Sequence, residues 1–144
     1  MKNGHAHIPE FGKKFDLRAL DPGDSNGYSR EEADAEILSL RVRLNDLQNV
    51  LYADERYAML VVLQGIDTAG KDGTINSVFR EVGPIGCQVS SFKVPTPEEL
   101  AHDYFWRYRH QMPEKGHIKI FNRSYYESVL VERVKKIVPK ETWE

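Results

Sequence analysis

The spacing of apolar positions changes several times along the chain, and each change predicts an element. From Ala33 through Ile37, Leu40, Leu44, Leu47 and Leu51 they recur every three or four residues, the period of one face of an α-helix. Ser29 followed by Glu32 is a capping-box pattern, in which each side chain satisfies a free amide at the helix start. The stripe covers fewer than three heptads, so it predicts a helix packed on the domain's own sheet rather than a coiled-coil seam. Met59-Leu60-Val61-Val62-Leu63 is a short, continuous apolar run with β-branched residues, the pattern of a strand buried on both faces of a parallel sheet. A glycine-rich turn follows, then a helix with Ile75, Val78, Phe79 and Val82 on one face, stopped by Gly83-Pro84.

Cys87 to Val94 reads as a weaker second strand. Thr96, Pro97 and Glu99 then supply an N-cap, a first-turn proline and a capping-box acid. The helix they open is expected to pack through Leu100, Ala101, Tyr104, Phe105 and Tyr108. His117 to Phe121 is a third strand, and Ser124 onward a helix with Val129, Leu130, Val134 and Ile137. One helix followed by three strand–helix units predicts an α/β fold with a parallel sheet, whose ligands sit beyond the carboxyl ends of the strands. Residues 1–28, rich in Gly, Pro, Asp and His, are expected to form an extended arm anchored by Phe11, Phe15 and Leu17. Residues 29–144 form the domain. His5 and His7 could bind a metal, but a lone pair in such an arm is more often solvated.

Composition adds little to this picture. The chain has 144 residues, 40% hydrophobic and 29% charged, with a formal net charge of −2, which predicts one globular domain. The single Cys87 excludes an internal disulfide framework and fits a reducing cytoplasm. Met1 to Glu10 has no apolar core, so no signal peptide is expected, and no apolar run suffices for a membrane span. The reading is therefore cytoplasmic, with neither membrane nor nucleic acid as a partner.

The chemistry begins at Gly65-Ile66-Asp67-Thr68-Ala69-Gly70-Lys71-Asp72-Gly73-Thr74, which follows the first strand and opens a helix. Gly65, Gly70 and Lys71 have Walker A spacing. Glycines let the backbone wrap a phosphate, successive amides of Thr68 to Thr74 point into the cradle, and the helix N-terminus adds positive potential. Lys71 supplies a point charge for the outer phosphates. Two departures stand out. Asp72 occupies the position of the usual magnesium-binding Ser or Thr, and a hydrogen bond within the first helical turn is expected for it. Asp67 lies inside the loop, where a bare carboxylate repels phosphate unless it binds Mg2+ or acts as a base. The plainer reading of Asp67 is an Asx turn.

A second motif, Ile118-Lys119-Ile120-Phe121-Asn122-Arg123-Ser124, ends the third strand where a Walker B acid would stand. The acid is replaced by Asn122, which can orient a metal-bound water or a phosphate oxygen. Arg123 can clamp phosphate oxygens bidentately. Glu127, a helical turn further on, is a second candidate metal ligand. Alternatively, Asn122 and Ser124 only cap the next helix. Lys93, Arg107 and Arg109 add positive charge and, with Lys71 and Arg123, are expected to line a channel for a polyanion.

The loop bearing Asp67, Gly70, Lys71, Asp72 and Gly73, the segment Ser91-Phe92-Lys93-Val94-Pro95-Thr96, and Phe121-Asn122-Arg123-Ser124-Tyr125-Tyr126-Glu127 resemble the polyphosphate kinase 2 family. The resemblance runs from about Leu51 to Glu144. The Asn-Arg-Ser form with Glu127 resembles its class III branch. It implies a P-loop NTPase-like three-layer α/β/α fold and phosphoryl transfer between inorganic polyphosphate and AMP or ADP, forming ADP or ATP. It also implies Mg2+ (with Mn2+ as an alternative), Asp67, Lys71 and Arg123 as catalytic residues, and a homo-oligomer, dimer or tetramer. Family members are about twice this length, so the chain is expected to lack the lid and last strands, a truncated form of the fold. Two rivals stay open: an ATP-dependent small-metabolite kinase, and a phosphate-binding fragment without turnover.

Overall fold

A computed structural model describes residues 8–127 and Val134 of the chain. The chain divides into two compact units, Met1–Ser39 and Leu40–Glu144. In the first, Asp16 caps a single 3-10 turn at Leu17–Ala19, and Asp21 and Asp24 accept from the amides of Gly23 and Asn26 at 2.8 and 2.7 Å. These short loops between carboxylates and nearby amides are the Asx turns of a segment without an apolar core. The expected anchors Phe11, Phe15 and Leu17 are all exposed. His5 and His7 lie outside the described residues.

Helix α1 spans Arg30–Asp54. Its predicted capping box is present, with the Ser29 amide donating to Glu32 Oε2 at 3.0 Å and the Glu32 amide to Ser29 Oγ at 3.2 Å. The inward stripe differs from the predicted one. Leu40 and Leu47 are exposed, Leu47 to 55%, while Gln48 is buried to 4% exposure. Arg41, Leu44 and Leu51 are half-buried. The buried face is therefore rotated by a small angle, because Arg41 reaches the backbone carbonyl and hydroxyl of Ser77 and Gln48 fills the space beside Gly86.

The sheet comprises β1 (Met59–Leu63), β2 (Cys87–Ser91) and β3 (Ile118–Asn122), all parallel in the order β1-β3-β2. The strands fall within a residue of the predicted segments, except that β2 ends at Ser91 rather than Val94, and the central place goes to β3. Ile118, Ile120 and Phe121 are buried, whereas Met59, Leu60 and Val62 of β1 are exposed. The doubly buried strand is thus β3, which among the described strands is the one with a neighbour on each side. The registers pair Leu63 with Asn122 and Ser91 with Asn122, so all three strands end level at one edge of the sheet.

Helix α2 (Lys71–Phe79) follows β1 and ends before Gly83-Pro84, as predicted. Ile75 and Phe79 are half-buried and Val82 is buried, whereas Val78 is exposed. The expected single helix after Thr96 is two short ones, α3 (Pro97–Leu100) and α4 (Trp106–Arg109). The Thr96–Glu99 capping box opens α3 as predicted. The break follows from Asp103, whose side chain accepts from the Phe105 amide at 3.0 Å and so competes with helical bonding. Leu100, Ala101 and Tyr104 consequently face outward, and only Phe105 and Tyr108 of the expected contacts turn inward. Tyr108 joins Phe92 and Phe121 in an aromatic core, with Phe92 ring centroids 4.4 Å from Tyr108 and 4.8 Å from Phe121. Val134 is exposed, and Val129, Leu130 and Ile137 lie outside the described residues.

Candidate functional site

Because the strands end level, the segments that leave them converge. The loop after β1, the turn after β2 and the corner after β3 surround a cavity of about 700 Å³. Among the described residues its lining comprises Asp67, Gly70, Lys71, Asp72 and Gly73 from the first segment. Ser91 to Val94 come from the second, and Asn122 and Arg123 from the third. Three cations face two carboxylates, giving the lining a positive balance suited to a polyanion.

The loop is shaped by its glycines. Gly70 has φ +77°, the left-handed region that a Cβ disfavours, and from there the chain turns into α2. A Cβ on Gly65 would meet Ala69 Cβ at 3.0 Å, so a side chain at that position would press on the closed loop. Lys71 completes the loop. Its ammonium donates to the carbonyls of Gly65 and Ile66, both at 2.7 Å, tying the start of the loop to the start of α2.

Four residues expected to contact phosphate, Gly65, Thr68, Ala69 and Thr74, lie outside the lining. The Ala69 amide donates to Ile66 O at 3.0 Å, and both the amide and hydroxyl of Thr74 donate to Gly70 O at 2.9 and 3.1 Å. These donors are engaged in closing the loop. Asp72 bonds across the cavity rather than within its own helical turn: Asn122 Nδ2 donates to Asp72 Oδ1 at 2.5 Å.

The corner after β3 is strained. Arg123 has φ +73°, uncommon for a side chain of this bulk, while its amide continues the ladder by donating to Leu63 O at 2.9 Å. The kink swings the guanidinium over the loop, where it forms an ion pair with Asp67. Its other arm lies 3.8 Å from Glu127. Glu127, expected to bind metal, is not in the lining; it accepts from Gln64 Nε2 at 2.7 Å. Gln64 Oε1 in turn accepts from the buried Ser124 hydroxyl at 3.0 Å. A polar chain thus runs Asp67, Arg123, Glu127, Gln64, Ser124. Gln64 escaped the sequence reading, although it is the first polar residue after the apolar run of β1.

Arg107 and Arg109 do not line the cavity. Arg109 is exposed beside Asp103 at 3.9 Å. Arg107 is buried to 8% exposure, held by Glu99 at 3.2 Å and the Lys93 carbonyl at 2.8 Å and lying over the rings of Phe92 and Tyr108. A charge expected on the channel wall is instead a strut behind it. Ser91, Phe92 and Val94, quoted from the sequence only within the family-like segment and not as site residues, join the lining because the strand register brings the end of β2 beside that of β3.

The family model of polyphosphate kinase 2 matches residues 27–144. A relative from Meiothermus ruber, named AMP/ADP-polyphosphate phosphotransferase, is 50% identical over 133 residues, covering 91% of this chain and 50% of its own length. An ADP-polyphosphate phosphotransferase of Rhodopseudomonas palustris is 48% identical over 124 residues, covering 85% of this chain and 43% of its own. The crystal structure of polyphosphate kinase 2 from Arthrobacter aurescens superposes with a TM-score of 0.81 at 36% identity, covering 90% of this chain and 48% of that one. The chain spans about half the length of the curated relatives it matches. Sequence and fold agree over the same stretch: the chain belongs to the polyphosphate kinase 2 family.

Proposed function

We propose that this protein is a polyphosphate-dependent nucleotide kinase, transferring a phosphoryl group between inorganic polyphosphate and AMP or ADP to form ADP or ATP. The observation that carries the reading is the convergence of Lys71, Lys93 and Arg123 on one cavity with Asp67 and Asp72. Such a set can gather two polyanions and hold donor and acceptor phosphates in line, which is most of what phosphoryl transfer requires. The Meiothermus ruber name supports a class III-like acceptor range covering both AMP and ADP.

Each residue has a part. Lys71 and Arg123 neutralise the phosphates between donor and acceptor, and Lys93 extends the positive surface along the chain of phosphates. The amides of Gly70 to Gly73 cradle the transferred group at the start of α2. Asp67 serves as metal ligand, base or both once Arg123 turns to phosphate, and Glu127 keeps Arg123 in reach.

Mg2+ fits this site as a cation bound together with substrate. Among the described residues no group of three His, Cys, Asp or Glu side chains converges to hold a metal alone. The donors present, Asp67, Asp72 and the Asn122 amide oxygen, are hard oxygens, and Mg2+ commonly rests on one or two carboxylates plus water and substrate phosphates. When bound, Mg2+ would neutralise charge on the bridging phosphates.

The kinase domain is assigned to residues 29–144, and the protein is placed in the cytoplasm, acting as a dimer or tetramer. The exposed Leu40, Leu47 and Val50 of α1 support self-association. The test is luminescence from luciferase on mixing AMP or ADP with polyphosphate and Mg2+. The 144-residue chain and the longest open reading frame that contains it are both assayed. ATP formation from ADP establishes the kinase, and formation from AMP the wider acceptor range. Silence from both proteins with intact polyphosphate overturns the proposal.

A further inference from the structure

In phosphate-binding loops of this type, a hydroxyl follows the loop lysine and a carboxylate ends the neighbouring strand, the two sharing a magnesium ion. Here both positions depart from that scheme together. The carboxylate, Asp72, follows the lysine, and the neutral amide, Asn122, ends the strand. The two side chains meet across fifty residues of sequence, with Asn122 Nδ2 donating to Asp72 Oδ1 at 2.5 Å. Charged and neutral members of the pair have exchanged elements while keeping their place in the cavity lining.

We propose that Asp72 is a positioning residue that sets the orientation of the Asn122 amide, and through it the oxygen offered to the hydrated cation accompanying the phosphates. A carboxylate can only accept, so it selects the NH2 end of the amide. Oδ1, an acceptor with two lone pairs, is thereby left for water on the cation. Without Asp72 the amide is free to turn, and its NH2 group would present donors where the cation's water needs an acceptor. The anchorage is firm on both sides. Asn122 is the last residue of the central strand, in register with Leu63 and Ser91, and Asp72 sits in the first turn of α2. This inference rests on the kinase reading for its consequence but not for the contact itself.

Two measurements test it. In an amide correlation spectrum of the 15N-labelled 144-residue chain, one side-chain NH2 pair disappears in Asn122→Asp and is thereby assigned. It should lie away from the ordinary side-chain amide region and return there in Asp72→Ala. In the polyphosphate-dependent assay, using whichever of the chain and its longest reading frame turns over, Asp72→Asn should lower kcat by about 10- to 100-fold. KM for polyphosphate should stay within about twofold, and the Mg2+ concentration for half-maximal rate should rise, because the phosphate-binding cations are untouched. Asn122→Asp places two carboxylates together and should fall similarly.

The double variant Asp72→Asn/Asn122→Asp restores one donor facing one carboxylate and should recover most of the loss. An Asn122 signal indifferent to Asp72→Ala overturns the inference. So does a double variant as poor as the product of the singles, or a kcat loss that tracks a fall in melting temperature. If no protein turns over while the NH2 shift appears and is lost in Asp72→Ala, the orientation holds and the kinase reading is what fails.

Discussion

The Arg107 guanidinium donates to the Lys93 backbone carbonyl at 2.8 Å, so a buried cation behind the cavity wall holds the residue that carries an exposed cation on it. The same guanidinium pairs with Glu99, which closes the capping box of α3. Arg107→Ala takes the side-chain donor from the Lys93 carbonyl and the counter-charge from the partly buried Glu99, which keeps only the Thr96 amide, and should cost about 2–4 kcal/mol, measured by urea denaturation. Arg107→Lys keeps the charge but lacks the fork to reach both acceptors, so it should recover only part of that loss. Both variants should raise KM for polyphosphate. An unchanged urea midpoint in Arg107→Ala would contradict the strut.

Asp67 and Arg123 should behave oppositely. Their ion pair lies at the surface, with Asp67 81% exposed, and such pairs contribute little to stability. Asp67→Asn and Arg123→Ala should each leave the melting temperature within a few degrees yet lower polyphosphate-dependent kcat by about 10²- to 10³-fold. Calorimetry beside the luminescence assay checks both halves.

Lys71 both braces the loop and presents charge to the cavity. Lys71→Ala should abolish measurable turnover and also speed hydrogen exchange across Gly65 to Gly70, since two carbonyls lose their donor. Lys71→Arg, with a larger head in a closed loop, should not restore activity. Exchange rates in the variant equal to those of the parent would show that the loop is held by its backbone alone.

Gly86 and Gln48 fit each other. A Cβ on Gly86 would lie 1.7 Å from Gln48 Nε2 and 2.7 Å from its Cδ, and Gln48 is buried. Gly86→Ala should destabilise by about 1–3 kcal/mol as overpacking. Adding Gln48→Ala should recover part of it, a coupling readable from a double-mutant cycle of urea midpoints.

Burial raises the pKa of the Cys87 thiol above its ordinary value. The thiolate fraction near pH 8 is therefore reduced, and alkylation by iodoacetamide should be slower in the folded chain than in urea. The folded state keeps the proton longer than the unfolded one. Its contribution to stability is thus intact below the ordinary thiol pKa and declines as pH rises through the raised value. Tyr125 is raised as well, its hydrogen bond with Tyr126 being the main cause, so the thiol's share is isolated by comparing urea midpoints with Cys87→Ala.

Much of the local structure was legible in the residues. Both capping boxes join side chains to amides three residues away, a distance that spacing alone specifies. Strands β1 and β3 coincide with short runs holding two β-branched residues each, β2 has only Val89, and the phosphate loop coincides with its glycines. Errors began where an element had to choose between neighbours. The leucines of α1 predict its inward stripe, but the buried position goes to Gln48 because Gly86, in the turn before β2, leaves room for an amide. The period after Thr96 predicts one continuous helix, because period alone does not reveal that the Asp103 side chain takes the Phe105 amide.

The sequence by itself determined the three strand segments, the starts of α1, α2 and α3, and that one strand–loop–helix carries a phosphate-binding pattern. These depend on backbone preferences and contacts within a few residues, the same in any fold. Tertiary structure decided that β3 is central, that Arg107 turns behind the wall while Lys93 stays on it, and that Asp72 meets Asn122 and Asp67 meets Arg123. Those partners are fifty and fifty-six residues apart. They come together only because β3 inserts between β1 and β2 in a register that ends all three strands at the same level, although β1 and not β3 has the continuous apolar run.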